Sequence, residues 1–150
     1  PRISAGIDGA ELCVIGAKKP GAADPVYPDG VRDLGFVDDL GAFLGTCRAL
    51  IAPISTGGGV RVKLLDTIRI GLPAVATSAA IGSLGPIFGL QPLDDDAAFV
   101  SECRRLLTDI PAAVELGNRL YDTNRQRWQD RLPHRAVADL LAGVPRRQVR

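Results

Sequence analysis

Apolar residues in this chain come in short runs cut off by glycine or proline, and the runs alternate with stretches of helical spacing. Residues 11–15 (Glu-Leu-Cys-Val-Ile) read as a buried strand ending at Gly16. Residues 17–30 are rich in proline and glycine, carry two lysines and predict a loop. Residues 31–34 predict a short strand closed by Gly35. Residues 40–46 predict a short helix with Asp38 or Asp39 as its N-cap. Another apolar strand follows at 49–52. A helix is expected over about 60–70, with Val60, Leu64, Leu65 and Ile68 as its apolar stripe. Gly71 stops it, and Pro73 lies just beyond. Residues 74–76 are the next strand, and 90–93 one more, weakened by Pro92. Asp95 caps a helix to about residue 107, with Phe99, Cys103, Leu106 and Leu107 facing inward. Helical patterns return at 111–124 and 134–141.

Strands alternating with helices over short links predict an α/β fold, a parallel sheet with helices on both faces. Ligands of such sheets bind beyond the carboxyl ends of the strands. Gly16, Gly35 and the triplet Gly57-Gly58-Gly59 all fall at strand ends, so three glycine-marked loops are expected to face one crevice. No internal repeat or low-complexity tract interrupts the pattern.

The stretch from Leu50 to Asp66 carries the most chemistry. A strand, a glycine turn and a helix N-terminus in that order make an anion site. The first backbone N–H groups of a helix have no partner within it, and glycines let a phosphate approach closely. Arg61 and Lys63 add positive charge, and Asp66 can accept hydrogen bonds from hydroxyls. Phosphate together with hydroxyls is the chemistry of a nucleotide sugar. A P-loop would need Gly-Lys-Ser/Thr, and a dinucleotide fingerprint would need a glycine at the Val62 position; neither is present. With a helix start near Gly58, Gly59, Lys63 and Asp66 share one stripe. The plainer alternatives are a flexible turn and an i,i+3 surface pair between Lys63 and Asp66.

Other groups read more simply. Lys18 and Lys19 follow Gly16 in a loop on the same side, but a lone lysine pair is ordinarily solvated. Asp94, Asp95 and Asp96 suit a helix N-terminus. His134, the sole histidine, has no nucleophile to partner. Trp128 reads as a packing anchor.

A chain of 150 residues, 46% of them apolar, fits one packed domain over 1–150, with a basic tail at 143–150 that includes Arg146, Arg147 and Arg150. Eighteen basic against 17 acidic residues leave no charge excess for a nucleic-acid partner. No apolar run is long enough for a transmembrane helix, and no signal-peptide pattern opens the chain. Cys13, Cys47 and Cys103 are odd in number, lack metal-type spacing and sit among apolar residues. They suit buried thiols in a reducing, cytoplasmic setting, and no metal is expected. With no methionine, the chain is expected to be processed or a piece of something longer.

Taken together, these segments resemble the C-terminal half of a GT-B glycosyltransferase of the retaining "glycosyl transferases group 1" type. Leu12-Cys13-Val14-Ile15-Gly16 resembles the family's second strand and phosphate-side glycine loop. Leu34-Gly35-Phe36-Val37-Asp38-Asp39-Leu40 resembles its "GFV.DL" segment. Residues 53–77, ending in Gly71-Leu72-Pro73-Ala74-Val75-Ala76-Thr77, resemble its glycine loop, helix and "G.PVVAT" strand. The likeness runs from residue 1 to about 142.

The resemblance implies a Rossmann-like sheet and a nucleotide-diphosphate sugar as donor substrate, with no further cofactor. Donor contacts are implied at Gly16, Val37 (near the nucleobase), Thr56, Gly57, Gly58, Gly59, Val60 and Asp66 (on the ribose hydroxyls), with Arg61 and Lys63 as catalytic cations on the diphosphate. The family helix usually carries two glutamates spaced E-x7-E. The second falls on Asp66. The first falls on Gly58, a departure shared with a "G.GV..K.LE" subgroup that this chain matches better. The resemblance also implies a missing N-terminal acceptor-binding half, through which any peripheral membrane contact would run. It further implies a strand and a helix before Pro1, with residues 1–3 as that helix's end. The absent strand is the central one, so the strands at 11–15 and 49–52 should either flank a gap or pair directly. A fragment of this kind is expected to be inactive alone and unstable or aggregation-prone. Two rival readings stand beside this one: a sugar-nucleotide epimerase of the same fold, and a catalytically silent binding or packing domain, which the glycine at 58 favours.

Overall fold

The structure, a computed structural model, describes residues 2–17, 21, 23, 25–56 and 61–143. The expectations at Lys18, Lys19, Gly57, Gly58, Gly59, Val60 and the arginines of the tail lie outside the described residues. The elements run β1 (Leu12–Ile15), β2 (Val31–Gly35), α1 (Leu40–Gly45), β3 (Leu50–Ala52), α2 (Val62–Ile70), β4 (Ala74–Ala76), α3 (Ser78–Ile81), α4 (Leu84–Phe88), α5 (Asp96–Thr108), α6 (Ile110–Gln129) and α7 (Leu132–Leu141).

The strands are parallel, as the alternation of elements requires, and they form two separate pairs. In one, Leu12 lies opposite Val31 and Ile15 opposite Gly35, with a register shift between Val14 and Ile15. In the other, Leu50 lies opposite Ala74 and Ala52 opposite Ala76. No ladder joins β1 to β3 among the described residues. Of the two expected arrangements, direct pairing does not occur and the pairs stand apart. Residues 2–6 are turns rather than a helix end. Their carbonyls at Arg2, Ile3 and Ala5 accept hydrogen bonds from the Arg104 guanidinium at 3.4, 2.9 and 2.6 Å.

Alternation along β4 sorts the core into two clusters. Ala74 and Ala76 face one side with Leu64, Ile68, Ile81, Leu84, Phe88 and Leu120. Val75 faces the other with Phe99, Cys103, Leu106 and Ala113. Successive strand side chains point to opposite faces, so β4 carries helices on both. Burial pushes the Cys103 thiol up to about 11, which keeps it protonated and unreactive. Cys13 and Cys47 are only half-buried, contrary to expectation, because β1 and the end of α1 lie outside both clusters.

Helix boundaries follow local chemistry. Asp39, Thr77, Asp95 and Asp109 each accept a hydrogen bond from the backbone N–H three residues on, capping α1, α3, α5 and α6. Gly71 ends α2 in the left-handed conformation, φ 72°, and its N–H returns to Ile68 and Thr67. There α6 crosses closely. A Cβ on Gly117 would overlap the Gly71 carbonyl oxygen, so only glycine permits this approach.

Other differences from expectation concern the elements. Residues 90–93 are not a strand. Pro92 supplies no N–H, and the segment makes a single sheet-like bond, from Leu93 N–H to the Ala76 carbonyl at 3.0 Å. α3 and α4 are two short helices between residues 78 and 88 that no long apolar period announces. α6 extends to Gln129, and α7 begins at Leu132, both beyond their expected limits. Trp128 does not anchor a core. Its side chain is 53% exposed and meets His134 edge-on, ring centroids 5.5 Å apart.

Candidate functional site

The expected site residues fall into two groups, each at the carboxyl end of one strand pair. Gly16 directly follows β1, and its N–H donates to the Gly35 carbonyl at 2.7 Å, tying together the exits of β1 and β2. Gly35 turns with φ 62° and donates its own N–H to Asp33 Oδ1 at 3.0 Å. Val37, half-buried, sits two residues beyond that turn, beside an exposed Phe36.

The second group follows β3. The Thr77 hydroxyl, at the exit of β4, donates to the Ile54 carbonyl, and its backbone N–H donates to the Ala52 carbonyl at 3.3 Å. One threonine thus clasps the two strand exits and caps α3. Thr56 is exposed at the end of the segment that Thr77 holds. Arg61 is the N-cap of α2, and its carbonyl accepts from Leu65 N–H at 3.0 Å. The first helical residue is Val62, so Lys63 occupies the first turn.

Helix α2 differs from α1 and α3 at this end in having no side-chain cap, and its first turn carries no acidic residue. α5, by contrast, opens with Asp95 and Asp96, as the positive pole of a helix favours. Arg61 and Lys63 therefore sit where a helix ordinarily places anions. Asp66, one turn further, has a side chain 31% exposed and pairs with Arg69 at 3.7 Å. The surface pair expected at this carboxylate is thus made with Arg69 rather than with Lys63.

Two features lay beyond sequence reasoning. Nothing in the sequence reveals that Thr77 caps α3 and clasps Ile54. Gly82, between α3 and α4, lies against the Arg61 guanidinium. A Cβ built on it would be 2.9 Å from Nη2 and 3.0 Å from Nε.

A groove of about 240 Å³ lined by Cys47, Arg48, Gly71, Pro73, Val114 and Asn118 lies at the other end of α2. Seven residues of helix, about 10 Å, separate Lys63 from Ile70 on the groove's rim, so it is not part of this site. Among the described residues no three His, Cys, Asp or Glu side chains come together as a metal centre would require. No helix among them is long and apolar enough to cross a membrane.

Neither a curated protein nor a solved structure matches the chain. A family profile does: that of "Glycosyl transferases group 1" covers residues 1–109, including both strand pairs, the glycine segment, α2 and all of α5. With more than two thirds of its length matched, this chain belongs to the group 1 glycosyl transferases.

Proposed function

We propose that this chain holds the donor, a nucleoside diphosphate sugar, and that transfer proceeds with retention to an acceptor bound by a partner half outside these 150 residues. The observation that carries the reading is the pair of cations at the N-terminus of α2, unaccompanied by any acid in the first turn. A like-signed charge at a helix pole forgoes roughly 0.3–1 kcal/mol that an acid there would contribute. A diphosphate placed before that helix reverses the sign of the term for Arg61 and Lys63 together. Local rules broken in this way are expected at functional sites.

The mechanism is electrostatic. Departure of the sugar builds negative charge on the diphosphate. Arg61 and Lys63, with the glycine segment 57–60 that precedes them, stabilise that charge. Asp66 accepts from the ribose hydroxyls, and the backbone near Val37 holds the nucleobase. Titration calorimetry with a nucleoside, its monophosphate and its diphosphate tests the assignment. The diphosphate should bind at least about tenfold more tightly than the nucleoside, as charged hydrogen bonds of roughly 1.5–3 kcal/mol require. That advantage should shrink as salt rises. Equal affinity for nucleoside and diphosphate would remove the phosphate role.

A further inference from the structure

The Arg61 side chain turns toward the link between α3 and α4. A Cβ on Gly82 would stand 2.9, 3.0 and 3.2 Å from Nη2, Nε and Cζ of Arg61. A carbon atom is in comfortable contact only at about 3.5–4.0 Å. The planar group therefore occupies space that any residue other than glycine would fill. The Arg61 Nε is shielded from solvent there. Gly82 itself has φ 52° and ψ −133°, a backbone conformation that L side chains rarely adopt. Its N–H closes α3 onto the Ser78 carbonyl at 2.9 Å, so the link is fixed rather than slack. Thr77, four residues upstream of Ile81, caps the same helix and clasps Ile54. The seat under Arg61 is thus built from the exit of β4, the side of the sheet on which the diphosphate is proposed to lie.

We infer that Gly82 is a positioning residue for donor binding: its missing side chain makes the seat that holds the Arg61 guanidinium in one orientation. The inference rests on the diphosphate reading above and adds a residue to it. A guanidinium presents five N–H donors in a rigid fork, and its value to a phosphate depends on where that fork points. Held against Gly82, the fork is oriented before the ligand arrives. With a methyl group at position 82, the guanidinium must shift from this orientation.

The experiment is a double-mutant cycle on the full chain, with Gly82→Ala, Arg61→Ala and the pair, together with Arg61→Lys. Each protein is titrated with a nucleoside diphosphate and with the nucleoside alone, and its thermal melt is recorded. Gly82→Ala should weaken diphosphate binding about tenfold, the order expected for a lost charged hydrogen bond. It should leave nucleoside affinity unchanged and cause no further loss in the Arg61→Ala background. Its penalty in melting temperature should also be smaller there, because the clash is gone. Arg61→Lys, which leaves Gly82 intact and keeps the charge but not the fork, should bind the diphosphate more weakly than wild type. If Gly82→Ala does not fold, this last comparison decides alone. Equal effects of Gly82→Ala with and without Arg61, or wild-type affinity in Arg61→Lys, would overturn the positioning role. Failure of the diphosphate reading shows separately, as a wild-type chain that does not prefer the diphosphate to the nucleoside.

Discussion

Asp66 has two claims on its carboxylate. Arg69 lies 3.7 Å away, with a side chain 70% exposed. An ion pair in that setting contributes about 0–1 kcal/mol, while a charged hydrogen bond to a ribose hydroxyl is worth roughly 1.5–3 kcal/mol. The ligand wins that comparison, so Arg69 does not hold Asp66 away from a donor. Asp66→Ala is expected to cost at least about tenfold in donor affinity. Arg69→Ala should leave donor affinity near wild type, and Asp66→Glu, one methylene longer, should retain most of it. Calorimetry with a nucleoside diphosphate sugar reads all three. Undiminished binding by Asp66→Ala would remove the ribose role.

At the scale of elements, α2 is held at both ends by different means. Its N-terminus carries the cations and no acid. Its C-terminus is pinned by the contact between Gly71 and Gly117, where backbone meets backbone. Leu64, Thr67 and Ile68 bury the face between, and the Thr67 hydroxyl is satisfied by the Leu64 carbonyl at 2.9 Å. A methyl group on Gly117 meets a carbonyl that cannot swing aside, so α6 must move off α2. Gly117→Ala should destabilise the chain by about 1–3 kcal/mol, the usual cost of overpacking. A control is Asn118→Ala, one residue on and exposed, which should melt within a degree or two of wild type. A Gly117→Ala protein with an unchanged melt would contradict the close crossing.

The whole molecule exposes 10543 Å² of surface. A compact monomer of its 15.8 kDa mass is expected to expose about 7300 Å². The excess agrees with two strand pairs that do not join. It also agrees with large apolar side chains in solvent, among them Phe36 at 72%, Leu140 at 61% and Leu141 at 83%. Helix α7 buries none of its residues, although ten residues form a stable helix only with packing support. Unpaired strand edges and bare apolar faces invite association. The chain on its own should therefore self-associate with rising concentration in sedimentation velocity. A monomeric species with a cooperative melt at high temperature would refute this expectation.

Local rules settled much of this chain before any tertiary contact was considered. The strands at β1 to β4, Asp39 and Asp95 as caps, Gly71 as a stop and the stripe of Leu64 and Ile68 follow from periodicity and capping, which act over a few residues. The family was legible because its glycine, cation and carboxylate pattern is likewise short-range. Residues 90–93 were misread because an apolar run does not reveal whether a neighbouring strand edge is within reach. α3 and α4 were missed because four- and five-residue helices are too short to display a period. Trp128 was misplaced because aromatic area says nothing of what stands opposite it. The tertiary structure alone decided that β1–β2 and β3–β4 remain separate pairs, that Thr77 clasps Ile54, that Asp66 meets Arg69, and that Arg61 rests on Gly82. Each of these depends on groups distant in sequence meeting in space, and such meetings are set by how the helices pack on β4 rather than by any local preference of the chain.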